Sequence, residues 1–386
     1  SEMIEQVRQA VCDRPELAGG VLIVDESADV KYGESSAGSS RQHNGRLGKV
    51  ERSQVGVYLS YAKDSVWTLI DGELFLPEKW FSKSYAARRA KAEVPSERTA
   101  FQTKIELGWE MIKRAQVVGL PFEAVAFDSL YGRSFWLREQ CDQAGIEYYA
   151  DIPANYRVYL EEPQLEFELT KRGKRSKKFS VVGQEAFKAS QLAQLPETHW
   201  RTLTLRAHER GMLKADFARC KVWTVSTKGI IRQEILVMRR GTKENRYSLS
   251  NAPSHTPLLT LAQRKSQRYF VERSIQDAKS ELGMDEFRAI KYRAWQHHLA
   301  LTILASWFIA ETRLDWQEEH PRDPSLVEDY ETDLLPNLSM ANVREMLRAT
   351  LPLRQLSPEQ AALLVVKHLD NRTRSRRSRL RKHSGP

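Results

Sequence analysis

Cysteine is scarce in this chain, with three among 386 residues. Cys12, Cys141 and Cys220 lie far apart, and no two of them have the short spacing of a zinc ligand set or a redox pair. This usage excludes a small disulfide-stabilised domain. It predicts reduced thiols and a cytoplasmic protein.

Long apolar runs are also missing. The longest, residues 299–310, is shorter than the about 20 residues that a membrane-spanning helix needs. No segment with the pattern of a signal peptide opens the chain. We therefore predict no membrane partner, and we interpret residues 299–310 as a buried helix.

Acidic residues are too few to balance the basic ones. The chain has 60 Lys and Arg against 50 Asp and Glu, a net charge of +10. Because the positive charge is clustered, it predicts a polyanionic partner, nucleic acid before a membrane surface. Two runs hold basic residues and no acid: Lys171, Arg172, Lys174, Arg175, Lys177 and Lys178, then Arg372, Arg374, Arg376, Arg377, Arg379, Arg381 and Lys382. The alternative for each run is a solvated, disordered tract.

Two short apolar runs each end on an acid. Residues 21–24 precede Asp25, and residues 124–127 precede Asp128. Apolar runs of this length suit strands buried on both faces, and α/β folds expose functional side chains where such strands end. Asp25 and Asp128 are therefore candidate site residues, although aspartate is also a common turn residue.

The elements around these runs follow the order β-β-β-α-β-α-β. Strands are predicted at 55–61, 66–75 and 147–152, and helices at 99–118 and 134–144. This order predicts an α/β fold with a mixed sheet flanked by helices. The first and fourth strands would be neighbours, with Asp25 and Asp128 side by side.

The chain divides into four predicted parts. They are the first part of the core at 1–155, a β-rich insertion at 156–255, the second part of the core at 256–315, and a helical C-terminal region with the basic tail at 316–386.

One predicted helix, residues 268–282, carries a carboxylate between two cations. Arg268, Glu272 and Lys279 stand at relative positions 0, 4 and 11, which places them in one narrow stripe at about 100° per residue. The stripe is either a solvated face with an i,i+4 ion pair, or a metal-holding carboxylate flanked by cations for nucleic-acid phosphates.

Asp25, Asp128 and Glu272 together suit two-metal phosphoryl transfer. Carboxylates are the ligands that Mg²⁺ and Mn²⁺ prefer, and paired ions about 4 Å apart activate the attacking oxygen and stabilise the leaving one. The pattern by itself is weak, because a chain with 50 acidic residues contains such triples by chance.

These segments resemble the three catalytic motifs of DDE transposases from bacterial insertion sequences, in the subgroup whose third motif is Tyr-x2-Arg-x3-Glu-x6-Lys. Arg268, Glu272 and Lys279 match that motif, whereas its Tyr falls on Lys265. Residues 42–54 and the basic end at 371–376 resemble further stretches of the family.

The resemblance implies an RNase H-like core interrupted by the insertion. It implies cleavage at transposon ends and strand transfer of the 3′-hydroxyl into target DNA, with two Mg²⁺ ions (or Mn²⁺) held by Asp25, Asp128 and Glu272. Glu26 competes with Asp25 for this role, and Asp277 and Glu281 compete with Glu272.

The resemblance also implies the partners: double-stranded DNA, as transposon ends and target, and a second copy forming a homodimer on paired ends near the nucleoid. We assign DNA contacts to Arg268, Lys279, Arg273, Lys174, Arg175, Arg374, Arg376 and Arg377. Relatives carry a helical DNA-binding region before the first motif, and about 20 residues precede the Asp25 strand here. We therefore expect end recognition to be weak or to fall to the C-terminal part.

Two other functions compete with transposition. One is a plain RNase H-like nuclease or resolvase without strand transfer. The other is a catalytically inactive or truncated transposase-derived protein that binds DNA. Metal dependence separates the classes, since phosphate binding survives chelation and cutting does not.

Overall fold

The structure, a computed structural model, describes residues 1–45, 47–98, 100–169, 175–208, 211–319, 340–350 and 357–383. The strands in this part of the chain are β1 Gly20–Val30, β2 Ser40–Asn44, β3 Lys49–Lys63, β4 Val66–Phe75, β5 Phe122–Phe127, β6 Glu147–Ile152, β7 Arg157–Val158, β8 Gln164–Leu169, β9 Arg175–Val182, β10 Phe187–Lys188, β11 Arg201–His208, β12 Gly211–Val225, β13 Ile231–Arg239 and β14 Arg246–Ser250.

The helices alternate with the strands in the first 319 residues and follow them near the C-terminus. They are α1 Glu2–Cys12, α2 Ala86–Lys91, α3 Lys104–Val118, α4 Ser129–Gly132, α5 Phe135–Gln143, α6 Ala189–Leu192, α7 Leu258–Ser266, α8 Tyr269–Glu281, α9 Tyr292–Glu319, α10 Met340–Thr350 and α11 Pro358–His383. Among the described residues, none of these helices combines the length and apolar character needed to cross a bilayer.

A ten-stranded mixed sheet organises the fold. Its strand order is β11-β12-β13-β14-β6-β5-β1-β3-β2. The tenth strand, β4, pairs with residues 55–63 of β3. β1 runs antiparallel to β3 and parallel to β5, and β5 runs parallel to β6. The predicted α/β class, a mixed sheet flanked by helices in an RNase H-like arrangement, is confirmed.

β1 is longer than predicted. The apolar run was expected to end at Asp25, but the strand continues to Val30 because its second half pairs with β3, from Asp25 opposite Tyr58 to Val30 opposite Ser53. What ends near Asp25 is the parallel pairing with β5, whose last pair joins Val24 and Phe127.

The strands between 201 and 250 extend the core sheet. β14 pairs antiparallel with β6, and β13, β12 and β11 follow outward. These four strands, within the range predicted as an insertion, continue the large sheet instead of forming a separate one. A small sheet of β7 and β10 packs against β12. There, Val158 of β7 shares an apolar cluster with Val222 of β12 and Leu236 of β13.

Helix ends follow the local sequence. Thr103 caps α3 in a capping box with Glu106, and Gly119 ends the helix with φ of 79°, a conformation that glycine adopts without strain. α3 packs on β3, β4 and β1, and α9 packs on β4. The predicted buried helix at 299–310 is confirmed as part of α9, although Leu301, Leu304 and Phe308 are exposed.

The chain forms two compact units, Ser1–Leu338 and Ser339–Pro386. In the second unit, Ser357 caps α11 by accepting from the Gln360 amide at 3.2 Å, as the Ser-Pro-Glu pattern predicts. The basic tail continues this helix as far as His383.

Candidate active site

Asp25 and Asp128 lie beside each other at one edge of the parallel strands. Val24 and Phe127 are paired neighbours on β1 and β5, and the two aspartates come next along each strand. Adjacent strands are about 4.8 Å apart. The predicted juxtaposition of Asp25 and Asp128 is therefore present in the backbone.

Asp128 is held by the turn that follows β5. Its Oδ1 accepts from the backbone N–H groups of Leu130 at 2.8 Å and Tyr131 at 3.2 Å, as the N-cap of α4. Gly132, at the end of this turn, lies so close to β6 that a Cβ atom would stand 2.1 Å from the Asp151 carbonyl oxygen. Glycine therefore allows the Asp128 turn to pack directly on the neighbouring strand.

Acid side chains at this edge raise one another's pKa. Burial, with Asp128 and Glu26 nearby, raises the pKa of Asp25 to about 7. Burial and Glu26 also raise the pKa of Asp128, although the Leu130 and Tyr131 amides oppose this shift. Carboxylates crowded out of water in this way favour a proton or a cation.

Glu26, the competitor of Asp25, projects toward the other side of the sheet. Its Oε1 accepts from Lys104 Nζ at 2.9 Å on α3. Val24, two residues earlier, lies beside Gly108 of the same helix. Because side chains alternate along a strand, Asp25 instead faces α8, which packs on β1, β3 and β4.

Arg268 connects three carboxylates on the α8 side. Its Nε lies 3.0 Å from Asp151 Oδ2, one terminal nitrogen lies 3.1 Å from Glu272 Oε1, and the other lies 3.9 Å from Asp25 Oδ2. Burial would lower the pKa of Arg268, but Asp151 and Asp25 outweigh it and the pKa is raised. The guanidinium is therefore a fixed cation beside the aspartates.

Glu272 contacts Arg268, which lies beside Asp25, but the Glu272 carboxylate is not grouped with the two aspartates. Its side chain is 60% exposed and forms the i,i+4 ion pair with Arg268. Within the described ranges, no three His, Cys, Asp or Glu side chains are grouped closely enough to hold a metal ion. The structure thus pairs Asp25 with Asp128 and connects Glu272 to them through Arg268.

Sequence reasoning missed Asp151, which completes the charge arrangement. It lies on β6 beside the Asp128 turn, and its Oδ1 accepts from Lys265 Nζ at 2.6 Å and from the Ser248 hydroxyl. Burial alone would raise the pKa of Asp151, but Lys265 and Arg268 hold it below its usual range. The sequence feature that could have indicated Asp151 is its position within the predicted strand at 147–152, the last strand of the first part of the core.

Lys265, where the resembled motif has Tyr, is buried against this aspartate. Burial lowers its pKa, and Asp151 opposes the shift. The departure from the motif is therefore accompanied by a buried carboxylate partner for the new cation.

The two other cations of α8 that we assign to DNA contacts, Lys279 and Arg273, each lie close to an aspartate. Lys279 lies 2.5 Å from Asp29 on β1, and Arg273 lies 3.2 Å from Asp277. Asp277, a competitor of Glu272, is buried and accepts from Trp67 Nε1 at 3.1 Å, so it takes part in packing. Glu281, the other competitor, ends α8.

The assigned cations of the two basic runs lie away from Arg268 in the sequence. Arg175 begins β9, Arg374, Arg376 and Arg377 lie on α11, and Lys174 is outside the described residues. Arg374 is exposed and lies 2.8 Å from Asp370.

The donor chemistry of this edge fits a divalent cation. Asp25 and Asp128 offer oxygen ligands, which Mg²⁺ and Mn²⁺ prefer. Burial raises the pKa of both groups, and Arg268 compensates their negative charge only in part. A bound cation would supply that compensation.

A mixed α/β sheet with paired aspartates at its edge defines a class of proteins suited to metal-assisted phosphoryl transfer. A family model described as DDE superfamily endonuclease matches residues 2–212, more than half of the chain. The chain belongs to this family. The matched range includes Asp25, Asp128 and Asp151 and ends before Glu272.

A curated relative is similar over a larger part of the chain. The probable transposase for insertion sequence element IS701 of Microchaete diplosiphon is 24% identical over 292 residues, which cover 75% of this chain and 64% of the relative. The chain thus spans about 64% of the length of that protein.

Proposed function

We propose that this protein is a DDE-type DNA transposase that cuts DNA at transposon ends and transfers the freed 3′-hydroxyl into target DNA. The observation that carries the proposal is the pairing of Asp25 and Asp128 on neighbouring parallel strands, with Arg268 linking them to Glu272. Family membership and the similarity to a probable transposase support it.

Asp25, Asp128 and Glu272 would hold two Mg²⁺ or Mn²⁺ ions. When bound, the ions supply activation of a water or 3′-hydroxyl and stabilisation of the leaving oxygen. The residues' own part begins with Asp25, which releases its proton near pH 7. Glu272 then leaves Arg268 to join the aspartates, and the released guanidinium binds a DNA phosphate.

The remaining parts of the proposal follow from the same assignment. Lys279, Arg273 and the basic runs contact phosphates, and a homodimer pairs two ends in the cytoplasm at the nucleoid. The four-part division of the chain, with residues 156–255 as an insertion within the catalytic core, also belongs to this proposal.

Carboxylate substitution tests the assignment. Asp25→Asn, Asp128→Asn and Glu272→Gln each remove one charge that would hold a cation, so we expect Mg²⁺-dependent cleavage of plasmid DNA to fall on the order of 10³-fold. Salt-sensitive DNA binding should be retained, because phosphate contacts of the cations remain. Cleavage is measured by gel and binding by fluorescence anisotropy.

The matched control is Glu110→Gln. Glu110 also pairs with a cation on its own helix, Lys113 at 2.8 Å, but it lies away from the aspartates on α3. We expect unchanged cleavage in this variant. Equal loss of cleavage and binding in Glu272→Gln would refute its assignment as a metal ligand.

The second candidate function is DNA binding without cleavage. The exposed Glu272 side chain, paired with Arg268 instead of grouped with the aspartates, favours it. Adding EDTA separates the two functions, because a transposase loses cleavage and keeps binding. A chain that binds DNA and cuts none in Mg²⁺ or Mn²⁺ is the binding protein.

A further inference from the structure

Two arginines face each other at the end of the β13–β14 hairpin. Arg239 and Arg246 are direct partners in the antiparallel pair, and residues directly opposite have Cβ atoms about 4.5–5.5 Å apart. Like charges in this position destabilise a sheet. Among the described residues, neither arginine forms an ion pair with a carboxylate, so their repulsion is relieved little by the protein itself.

The pair belongs to a larger cationic cluster on the α7–α8 side of the sheet. Burial, followed by Arg246, lowers the pKa of Arg239, and Asp151 opposes this shift. Arg239 and Arg268 also contribute to the lowered pKa of Lys265, after burial. Arg239, Lys265 and Arg268 have Asp151 as a carboxylate neighbour. Arg246, opposite Arg239, adds a further positive charge to this cluster.

The cluster lies at the same edge of the sheet as the aspartates. β14 pairs with β6 so that Tyr247 is opposite Ile152 and Ser248 opposite Asp151. The hairpin end at 239–246 therefore lies in space just beyond the C-terminal end of β6. At about 4.8 Å per strand, β14 lies three strands, or about 14 Å, from β1. This span corresponds to about four base pairs at 3.4 Å each.

The hairpin end is compact and carries further positive charge. Gly241 approaches the Glu244 carbonyl so closely that a Cβ atom would stand 1.9 Å from the oxygen, which fixes a tight turn. Arg240 stacks over the Trp200 ring at 4.6 Å, and Lys243 is exposed. A compact turn with a net positive charge is suited to contact a polyanion.

We propose that Arg239 and Arg246 bind backbone phosphates of double-stranded DNA, about four base pairs from the bond that the aspartates address. The location of this contact relative to the cut rests on the proposed function. The contact itself is independent of base sequence, because arginine binds phosphate by charge and paired N–H donors.

The test is the salt dependence of DNA binding by the full chain. We would titrate a fluorescent 30-base-pair duplex of arbitrary sequence, in EDTA, at several salt concentrations. Each lost phosphate contact lowers the slope of log affinity against log salt by about 0.9. We expect Arg239→Gln/Arg246→Gln to lower the slope by about 2 and the affinity by about tenfold at low salt. Arg239→Lys/Arg246→Lys should keep most of the slope, because the charge remains.

The chain offers a matched control in Arg157 and Lys188. They are also direct partners in an antiparallel pair, β7–β10, and both are exposed. That small sheet packs on the other face of the large sheet. We expect Arg157→Gln/Lys188→Gln to leave the slope unchanged.

Either an unchanged slope in the Arg239→Gln/Arg246→Gln variant or an equal decrease in the control would overturn the inference. If the double variant fails to fold, as judged by circular dichroism, the single variant Arg246→Gln, at an exposed position, replaces it. We expect this variant to lower the salt slope by about 1. A chain that shows these slopes but cuts no DNA in Mg²⁺ contradicts the proposed function and leaves the DNA contact standing. Metal-dependent cutting with unchanged salt slopes supports the proposed function and contradicts the DNA contact at Arg239 and Arg246.

Discussion

Two buried groups of charges, on opposite faces of the same sheet, differ in how well they are compensated. On one face, Arg138 and Glu234 are almost completely buried and form an ion pair at 2.9 Å. Tyr148 and Thr224 donate to the carboxylate, and Arg138 also donates to Tyr156. Each charge therefore has several partners.

On the other face, the carboxylates are close together and share few cations. Asp25 lies near Asp128, and its cation contact is Arg268 at 3.9 Å. A protein that only needed stability gains nothing from such crowding, whereas a site that binds a cation does. This difference is the one expected if the first group serves stability and the second binds a cation, as we propose.

The two faces are also connected. Arg138 donates to the Gly132 carbonyl at the end of the turn that Asp128 caps. The compensated group thus helps fix the turn that places Asp128 at the edge of the sheet.

The largest effect on stability is expected from breaking the compensated group. Glu234→Leu leaves Arg138 buried without its carboxylate, so the free energy of unfolding should fall by about 3–5 kcal/mol. Arg138→Met/Glu234→Leu removes both charges and should recover most of that loss. Urea unfolding followed by circular dichroism measures both changes.

A surface pair serves as the control for this experiment. Glu110→Leu breaks the exposed pair with Lys113 and should change stability by less than about 1 kcal/mol. A loss below about 1 kcal/mol in Glu234→Leu as well would contradict the distinction between the two groups.

A smaller effect is expected from pH, through Asp25. Its pKa is raised to about 7 in the folded chain and is near 3.9 in an unfolded one. As the pH rises, the unfolded chain loses this proton before the folded chain does. The stabilisation of the folded state by protonated Asp25 is therefore fully present below about pH 4. It decreases by several kcal/mol at most between about pH 4 and pH 7 and does not change further above that range. The metal-free chain should therefore be about 3 kcal/mol less stable at pH 8 than at pH 5 from this group.

Comparison with Asp25→Asn isolates that contribution. The variant cannot ionise at this position, so the difference between wild type and variant should carry the pH dependence in urea unfolding with EDTA. Added Mg²⁺ should stabilise the wild type more at pH 8 than at pH 5, since a cation competes with the proton. Parallel pH profiles for wild type and Asp25→Asn would show that Asp25 ionises normally.

The smallest effect on stability is expected from the basic tail. Deleting residues 371–386 removes seven basic residues of the tail and should leave urea unfolding of the remaining chain nearly unchanged. Binding to all DNA sequences should weaken, with a flatter salt dependence. An unchanged salt slope would show that the tail takes no part in DNA binding.

The local sequence was sufficient to predict most elements near the site. Apolar runs predicted β1 and β5, and the predicted strand at 147–152 matches β6. The order of elements was also sufficient to place Asp25 beside Asp128, because parallel strands that are neighbours bring the same ends together.

Other features depended on partners distant in the sequence. Asp151 gains its importance from Lys265 and Arg268, more than 110 residues later. The continuation of the core sheet through β14 likewise depends on pairing between residues about 100 apart, Ser248 with Asp151. No local pattern encodes such pairings.

The sequence by itself therefore determined the α/β class, the two aspartates and the Arg-Glu-Lys stripe, because these follow from periodicity and spacing along one segment. Tertiary structure alone decided which cations compensate which carboxylates. Charge interactions depend on distance and burial in space, so the compensated Arg138–Glu234 pair and the crowded Asp25 group could not be distinguished before the sheet was assembled.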